Sequence, residues 1–188
     1  MRTIPAHASK PRSSHPSSMH QSVSRTARPN THQYKASAAC GAPLPDVPRT
    51  VFAFAAPWPA LSASVLANGV ACITAEDTRW ARCDIKSVSL LANVLLRQLA
   101  VDADAGETVL LREGELTDAS ASSVHVVLNG ELRTPPNSQR LLPGTTRGVM
   151  EEIAAAAGVA HRSERITERE LRAADEILLG AATREVQP

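Results

Sequence analysis

The chain has 188 residues, a formal net charge of +1 and an aromatic content of only 3%. That length suffices for one substantial hydrophobic core or two small ones. So few aromatics, and positive charge concentrated outside the apolar part of the chain, exclude a nucleic-acid-binding surface. No apolar run is long enough to span a bilayer, and none reads as a secretory h-region.

Residues 1–48 are crowded with Ser, Pro, His and Arg and carry a single acid, Asp46. Such a segment buries too little apolar surface to offset its ordering entropy, so a disordered or unassigned tail is expected. Its Arg- and Ser-rich, acid-poor composition also suits an organellar transit peptide, but prolines interrupt it and no amphipathic helical period runs through it. From Val51 the chain turns rich in Val, Leu, Ile and Ala. Residues 49–68 read as a strand, TVFAFAA (50–56), ended by Pro57 and Pro59, and a connector that closes at Gly69. Residues 69–188 read as one further domain, opening on the strand VACITA (70–75).

The stretch RWARCDIKS (79–87) concentrates the ionic and nucleophilic residues of this region. Lys86, preceded by Arg79, Arg82 and Asp84, is either a solvated surface amine or a reactive one. Three scattered cysteines, Cys40, Cys72 and Cys83, form no CxxC pair and suit a reducing, cytoplasmic setting. No His-rich metal spacing accompanies them, and Cys83 reads as a small buried hydrophobe. Beyond Lys86, Leu90, Leu91, Val94, Leu95, Gln98 and Leu99 recur at helical spacing, with Ser87 suited to the helix start.

In ETVLLREGELTDASASSVHVVLNGELRTPP the period changes to that of strands, and the dipeptides EG and NG mark tight turns, so an antiparallel meander is expected. Asp118 lies among small hydroxyl residues, where a carboxylate is either held for a ligand or closes an Asx turn. PGTTRGVMEEIAAAAG predicts a helix opening at Thr145 and Thr146 and capped by Gly158. The first turn of such a helix is either a simple N-cap or an anion cradle. Thr167 and Glu170 have the spacing of a capping box, and EILLGAATREV predicts a final strand running into a small-residue turn. The composition and element order describe an α+β (mixed α/β) protein rich in antiparallel strands with flanking helices.

Taken in order, RWARCDIKS, LTDASASSVHVV, LPGTTRGV and DEILLGAATREVQP resemble the D-amino-acid transaminases of the class-IV pyridoxal-phosphate aminotransferases, from about residue 50 onward. The resemblance implies a fold-type IV cofactor domain and a requirement for pyridoxal 5′-phosphate. It assigns Lys86 to the covalent attachment of the cofactor and to proton transfer at the substrate α-carbon. It places Asp118 where the family has a glutamate beside the pyridine nitrogen, one methylene shorter here. It gives the cofactor phosphate to Gly144, Thr145 and Thr146, with Thr146 as hydroxyl donor, and to the turn holding Ala182 and Thr183. Ala181 and Ala182 there replace residues that are often hydroxylated in the family.

The implied substrates are small amino acids and 2-oxo acids, D-alanine with 2-oxoglutarate giving pyruvate and D-glutamate, with no nucleic-acid or membrane partner and with a homodimer as the assembly. Branched-chain aminotransferase and aminodeoxychorismate lyase activities share the scaffold. Residues 1–48 do not resemble the family's N-terminal domain, and the resemblance stops at REVQP; this also leaves open an inactive remnant.

Overall fold

The computed structural model describes Thr3–Ile4, Ala53 and residues 60–188. Apart from Ala53, the strand expected over residues 50–56 lies outside the described residues, as do Cys40 and the expected tail save for Thr3–Ile4.

The described secondary structure runs β1 (Thr3–Ile4), α1 (Ala63–Asn68), β2 (Cys72–Glu76), α2 (Leu91–Asp102), β3 (Glu107–Arg112), β4 (Glu115–Ala119), β5 (Ser123–Leu128) and β6 (Glu131–Thr134). It continues with α3 (Thr145–Ala156), β7 (His161–Ser163), α4 (Glu168–Ala173), β8 (Glu176–Ala181) and β9 (Glu185–Gln187). These strands make two sheets, of order β1-β2-β3-β4 and β7-β6-β5-β8-β9. In each sheet a helix joins a parallel pair: α2 lies between β2 and β3, and α3 between β6 and β7. The remaining pairs are antiparallel, giving the mixed α+β architecture expected of the sequence.

The turn dipeptides act as read. Glu113 and Gly114 have φ of 57° and 76°, and Asn129 and Gly130 have 53° and 76°. Two successive left-handed residues are the backbone of the tight hairpins β3–β4 and β5–β6. The expected single meander is instead two hairpins in different sheets. The physical reason is the turn that joins them: Ser120 and Ser122 both bond the carboxylate of Glu107, which is 1% exposed, and Ser120 N donates to the Thr108 carbonyl. Tied back to β3 in this way, the chain leaves the first sheet and opens the second.

Two expectations about helices also change. The connector before Gly69 contains α1, capped by the Ser62 hydroxyl and closed by Gly69 at φ 70°. Helix α2 begins at Leu91, four residues after Ser87, whose hydroxyl bonds Ser89 N instead. Its buried residues are Leu96 and Ala100, whereas Leu91, Val94 and Leu95 are exposed, so most of the apolar stripe read from the sequence points away from the sheet.

The core lies between the two sheets. Val109, Leu111, Leu116 and Ala119 of the first sheet meet Val124, Val126, Leu128 and Leu179 of the second, with Ile166 and Leu171 in the same cluster. The intervening residues are buried on the opposite faces, Thr108 bonding the Leu96 carbonyl of α2 and His125 lying at 0% exposure. Leu171 is carried by α4, whose start is a full capping box between Thr167 and Glu170. Thr167→Ala is expected to lower stability to urea by about 1 kcal/mol, while Thr167→Ser retains most of it; an unchanged midpoint for the alanine variant would show that the box contributes nothing.

Candidate functional site

Arg79 occupies the centre of the first cluster. Its Nε and Nη2 hold both oxygens of Asp77 at 2.9 and 3.1 Å, its Nη1 meets Asp118 Oδ2 at 3.0 Å, and its Nη2 also reaches the Arg140 carbonyl at 3.0 Å. Asp77 receives Thr117 Oγ1 and Arg112 as well. Both carboxylates are buried, but they are not equivalent. Burial alone raises each. At Asp77 the several bonds from Arg79 and Thr117 outweigh it, leaving the carboxyl below its ordinary range. Asp118 receives one guanidinium nitrogen, burial wins, and the carboxyl is pushed up to about 6. Arg79 itself is raised.

Asp118 sits on β4 opposite Leu110 of β3. The bond to Arg79 means that it is no mere Asx turn. Of the arginines that precede Lys86, Arg79 is engaged by the two aspartates, and Arg82 forms a half-exposed pair with Asp84 at 2.8 Å. Lys86 is exposed and makes no hydrogen bond or ion pair with another described residue. Cys83 is buried and its Sγ meets the Trp80 carbonyl, so the thiol is raised by burial and plays the packing role expected of it.

The second cluster forms where α3 begins. Gly144 is the N-cap and supplies no side-chain cap, so the first amides of α3 remain available to a ligand. A Cβ added to Gly144 would lie 3.3 Å from Ser123 Oγ of β5. Across the same sheet Ser123 pairs with Gly180, and a Cβ added to Gly180 would meet Thr146 Cγ2 at 3.7 Å and Met150 Sδ at 3.4 Å. The Gly144–Thr146 turn and the end of β8, singled out separately in the sequence, therefore converge across β5. Partial positive charge and unpaired N–H groups at such a point favour an anion. Ala182 and Thr183 are exposed in the turn between β8 and β9, with the nearer contact to Thr146 made by Gly180.

The sequence reading missed Asp77, Ser123 and His125. Asp77 had a signal, an acid two residues before Arg79 at the end of a strand. Ser123 had none, because its meeting with α3 and with Gly180 depends on the β5–β8 pairing.

The amino-transferase class IV family model matches residues 15–188. The chain belongs to this family. Its relatives among the class IV aminotransferases include a D-alanine aminotransferase of Bacillus licheniformis, 36% identical over 166 residues, covering 88% of this chain and 55% of that one. A D-alanine aminotransferase of Staphylococcus haemolyticus is 36% identical over 146 residues, covering 78% and 51%. The chain thus spans about half the length of the curated relatives it matches. Among solved structures, a branched-chain aminotransferase from Thermoproteus uzoniensis with norvaline aligns at a TM-score of 0.61 and 25% identity, over 71% of this chain and 46% of that one. These neighbours include a fold IV transaminase from Curtobacterium pusillum, with a TM-score of 0.59 and 24% identity over 62% and 44% of the two chains, which supports the fold-type IV assignment.

The Arg79 cluster generates a pH prediction. A folded pKa raised above the ordinary 3.8 means that the stability linked to Asp118 is fully present below that value and is lost as pH rises through about 6. Asp77, lowered, contributes with the opposite sign: its stability is present above the ordinary range and lost as pH falls. Carbon-13 NMR of the aspartate carboxyls is expected to show one group titrating near 6, moving further up in Arg79→Gln. A downward move, or a midpoint in the ordinary range, would refute the assignment.

Proposed function

We propose that this chain binds pyridoxal 5′-phosphate and takes part in transamination between D-alanine and 2-oxoglutarate, giving pyruvate and D-glutamate. The observation that carries the cofactor reading is the convergence of the uncapped start of α3 with the end of β8 at Ser123 and Gly180. It suits a phosphate ester, because the uncapped first amides of α3 open there, and the adjoining His125 has two buried ring nitrogens without a hydrogen-bond partner among the described residues. The D-alanine assignment is supported by the curated relatives at 36% identity.

In this reading Gly144, Thr145 and Thr146 hold the phosphate through backbone N–H groups and the Thr146 hydroxyl, with the turn at Ala182 and Thr183 on its other side. Asp118, held by Arg79, would be the acid that serves the pyridine nitrogen and favours its protonated form. Lys86 would be the residue that holds the cofactor through its amine and that moves the proton of the substrate α-carbon. When bound, pyridoxal phosphate supplies the electron sink that makes this α-proton removable. The short arm of Asp118 is compensated by its rigid seat, since a buried, charge-assisted bond fixes the carboxylate before any ligand arrives.

A homodimer belongs to the proposal, supported by the exposed apolar residues Leu91, Val94 and Leu95 on one side of α2. Its cytoplasmic setting rests on the unpaired cysteines; no helix among the described residues is long and apolar enough to cross a membrane. A branched-chain aminotransferase is the second reading, favoured by the structural neighbours at 25% identity. Its half-reaction would prefer L-valine to D-alanine.

Borohydride treatment of the protein saturated with pyridoxal phosphate is expected to leave a pyridoxyl group on Lys86 in peptide maps. Finding it on Lys35, or on no lysine, refutes the reading. Asp118→Asn is expected to leave that labelling intact and to slow exchange of the D-alanine α-proton by about ten- to a hundredfold, the kinetic worth of one charge-assisted hydrogen bond. Exchange at the unmodified rate would leave Asp118 a structural role alone.

A further inference from the structure

The side chains of β5 alternate between two environments. Val124, Val126 and Leu128 enter the core between the sheets, while Ser123 and His125 lie on the opposite side, toward the start of α3. His125 is 0% exposed, and among the described residues neither Nδ1 nor Nε2 has a hydrogen-bond partner. A buried imidazole in this condition is costly to keep. A valine or leucine in the same strand would satisfy the packing without that cost.

The ring is aimed. Nε2 lies 3.6 Å from the point where a Cβ on Gly180 would sit, and the same point is 3.7 Å from the Thr146 methyl. The imidazole and the Thr146 methyl therefore border the same point beside Gly180, at the first turn of α3. The charged groups that face it are Arg147 and Glu151 of α3, paired with one another at 2.9 Å, and His161 of β7, which lies 3.9 Å from Glu151 Oε1. Burial first, then Arg147, and least of all His161, drive His125 down to about 4, against an opposing pull from Glu151 that is weaker than that of Arg147 and stronger than that of His161. With no anion at α3 the ring is neutral at ordinary pH. A dianion placed at the start of α3 adds negative charge at short range in a medium of low dielectric, and there it favours the imidazolium.

We propose that His125 is a positioning residue for the cofactor phosphate, taking up a proton as an anion settles on the Gly144–Thr146 turn and holding that anion through Thr146. The proposal rests on the reading of this turn as the phosphate site. It makes anion binding proton-coupled: affinity rises as pH falls through the bound-state pKa of His125 and levels off below its free-state value.

Sulfate is the suitable probe, because it remains a dianion across the range while a phosphate ester titrates within it. Nitrogen-15 NMR of the histidine-labelled chain is expected to show the His125 ring neutral without sulfate and protonated at saturation near about pH 6, the region where an imidazole released from burial titrates. Sulfate affinity is expected to rise by about tenfold or more from about pH 8 to about pH 5, tenfold for each unit by which the anion raises the ring. His125→Phe, which keeps a ring of similar size, is expected to flatten that slope, and His161→Gln to preserve it.

A His125 ring that stays neutral in the sulfate-saturated chain overturns the proposal, and so does an unchanged pH slope in His125→Phe. The NMR measurement on the unmodified chain decides the matter if His125→Phe does not fold. Failure of sulfate to bind at either pH also overturns it. The phosphate site itself is judged separately: tighter binding of pyridoxal phosphate than of pyridoxal upholds that reading whatever His125 does, and equal binding removes it.

Discussion

A single buried guanidinium organises the chemistry of this chain. Arg79 joins the end of β2 through Asp77, the end of β4 through Asp118, and the segment ahead of α3 through the Arg140 carbonyl. Three segments far apart in sequence are thereby held in one place. A buried cation between two buried carboxylates has every donor direction set by geometry, and removing one member leaves an uncompensated charge in the interior. Such breakage typically costs about 3–5 kcal/mol, whereas replacing a whole buried set by well-packed apolar residues is often neutral. The value of the cluster is therefore orientation: it fixes where the carboxylate of Asp118 stands and what its proton affinity is.

The unequal sharing of Arg79 matters for that proton affinity. Asp77 takes most of the guanidinium and a hydroxyl from Thr117, so it stays ionised. Asp118 keeps one charged contact in a buried position and ends near 6. A carboxyl tuned to that region suits a group that shares a proton with a ring nitrogen, the role proposed for it. Glu107 solves a different problem with similar means: its carboxylate bonds Ser120 and Ser122 and is paired with Arg97 at 3.4 Å. It fixes the turn at which the chain passes from one sheet to the other, immediately after Asp118.

The second sheet assembles the proposed anion cradle by topology. Because β8 pairs with β5, the end of β8 arrives beside Ser123, and because α3 follows β6 and leads to β7, its first turn arrives over the same point. Neither segment has a strong side-chain donor set. The proposed cradle draws on backbone amides and the Thr146 hydroxyl, so the alanines at 181 and 182 remove none of the donors assigned to α3. His125, buried on the same face of β5 as Ser123, is the titratable group closest to the Gly180 side of that cradle.

Local chemistry made much of the fold legible in the sequence. Glu113-Gly114 and Asn129-Gly130 announced their hairpins because left-handed backbone is accessible to few residues. Thr167 and Glu170 announced α4, and the Gly158 stop announced the end of α3. Lys86 and Asp118 were legible as candidates through the order of the four motifs. What the sequence did not reveal depends on partners distant along the chain. It could not show that the strand run from 107 to 134 divides between two sheets, because that depends on Glu107 capturing Ser120 and Ser122. Nor could it show that most of the apolar stripe of α2 faces outward, because helical spacing identifies a stripe but not what covers it. Arg79 read as a neighbour of Lys86 and proved to be the partner of two aspartates, one of them 39 residues away. Local backbone preferences act within a few residues and survive in the sequence as motifs; sheet pairing and buried ion networks are chosen by burial across the whole domain, and only the tertiary structure decides them.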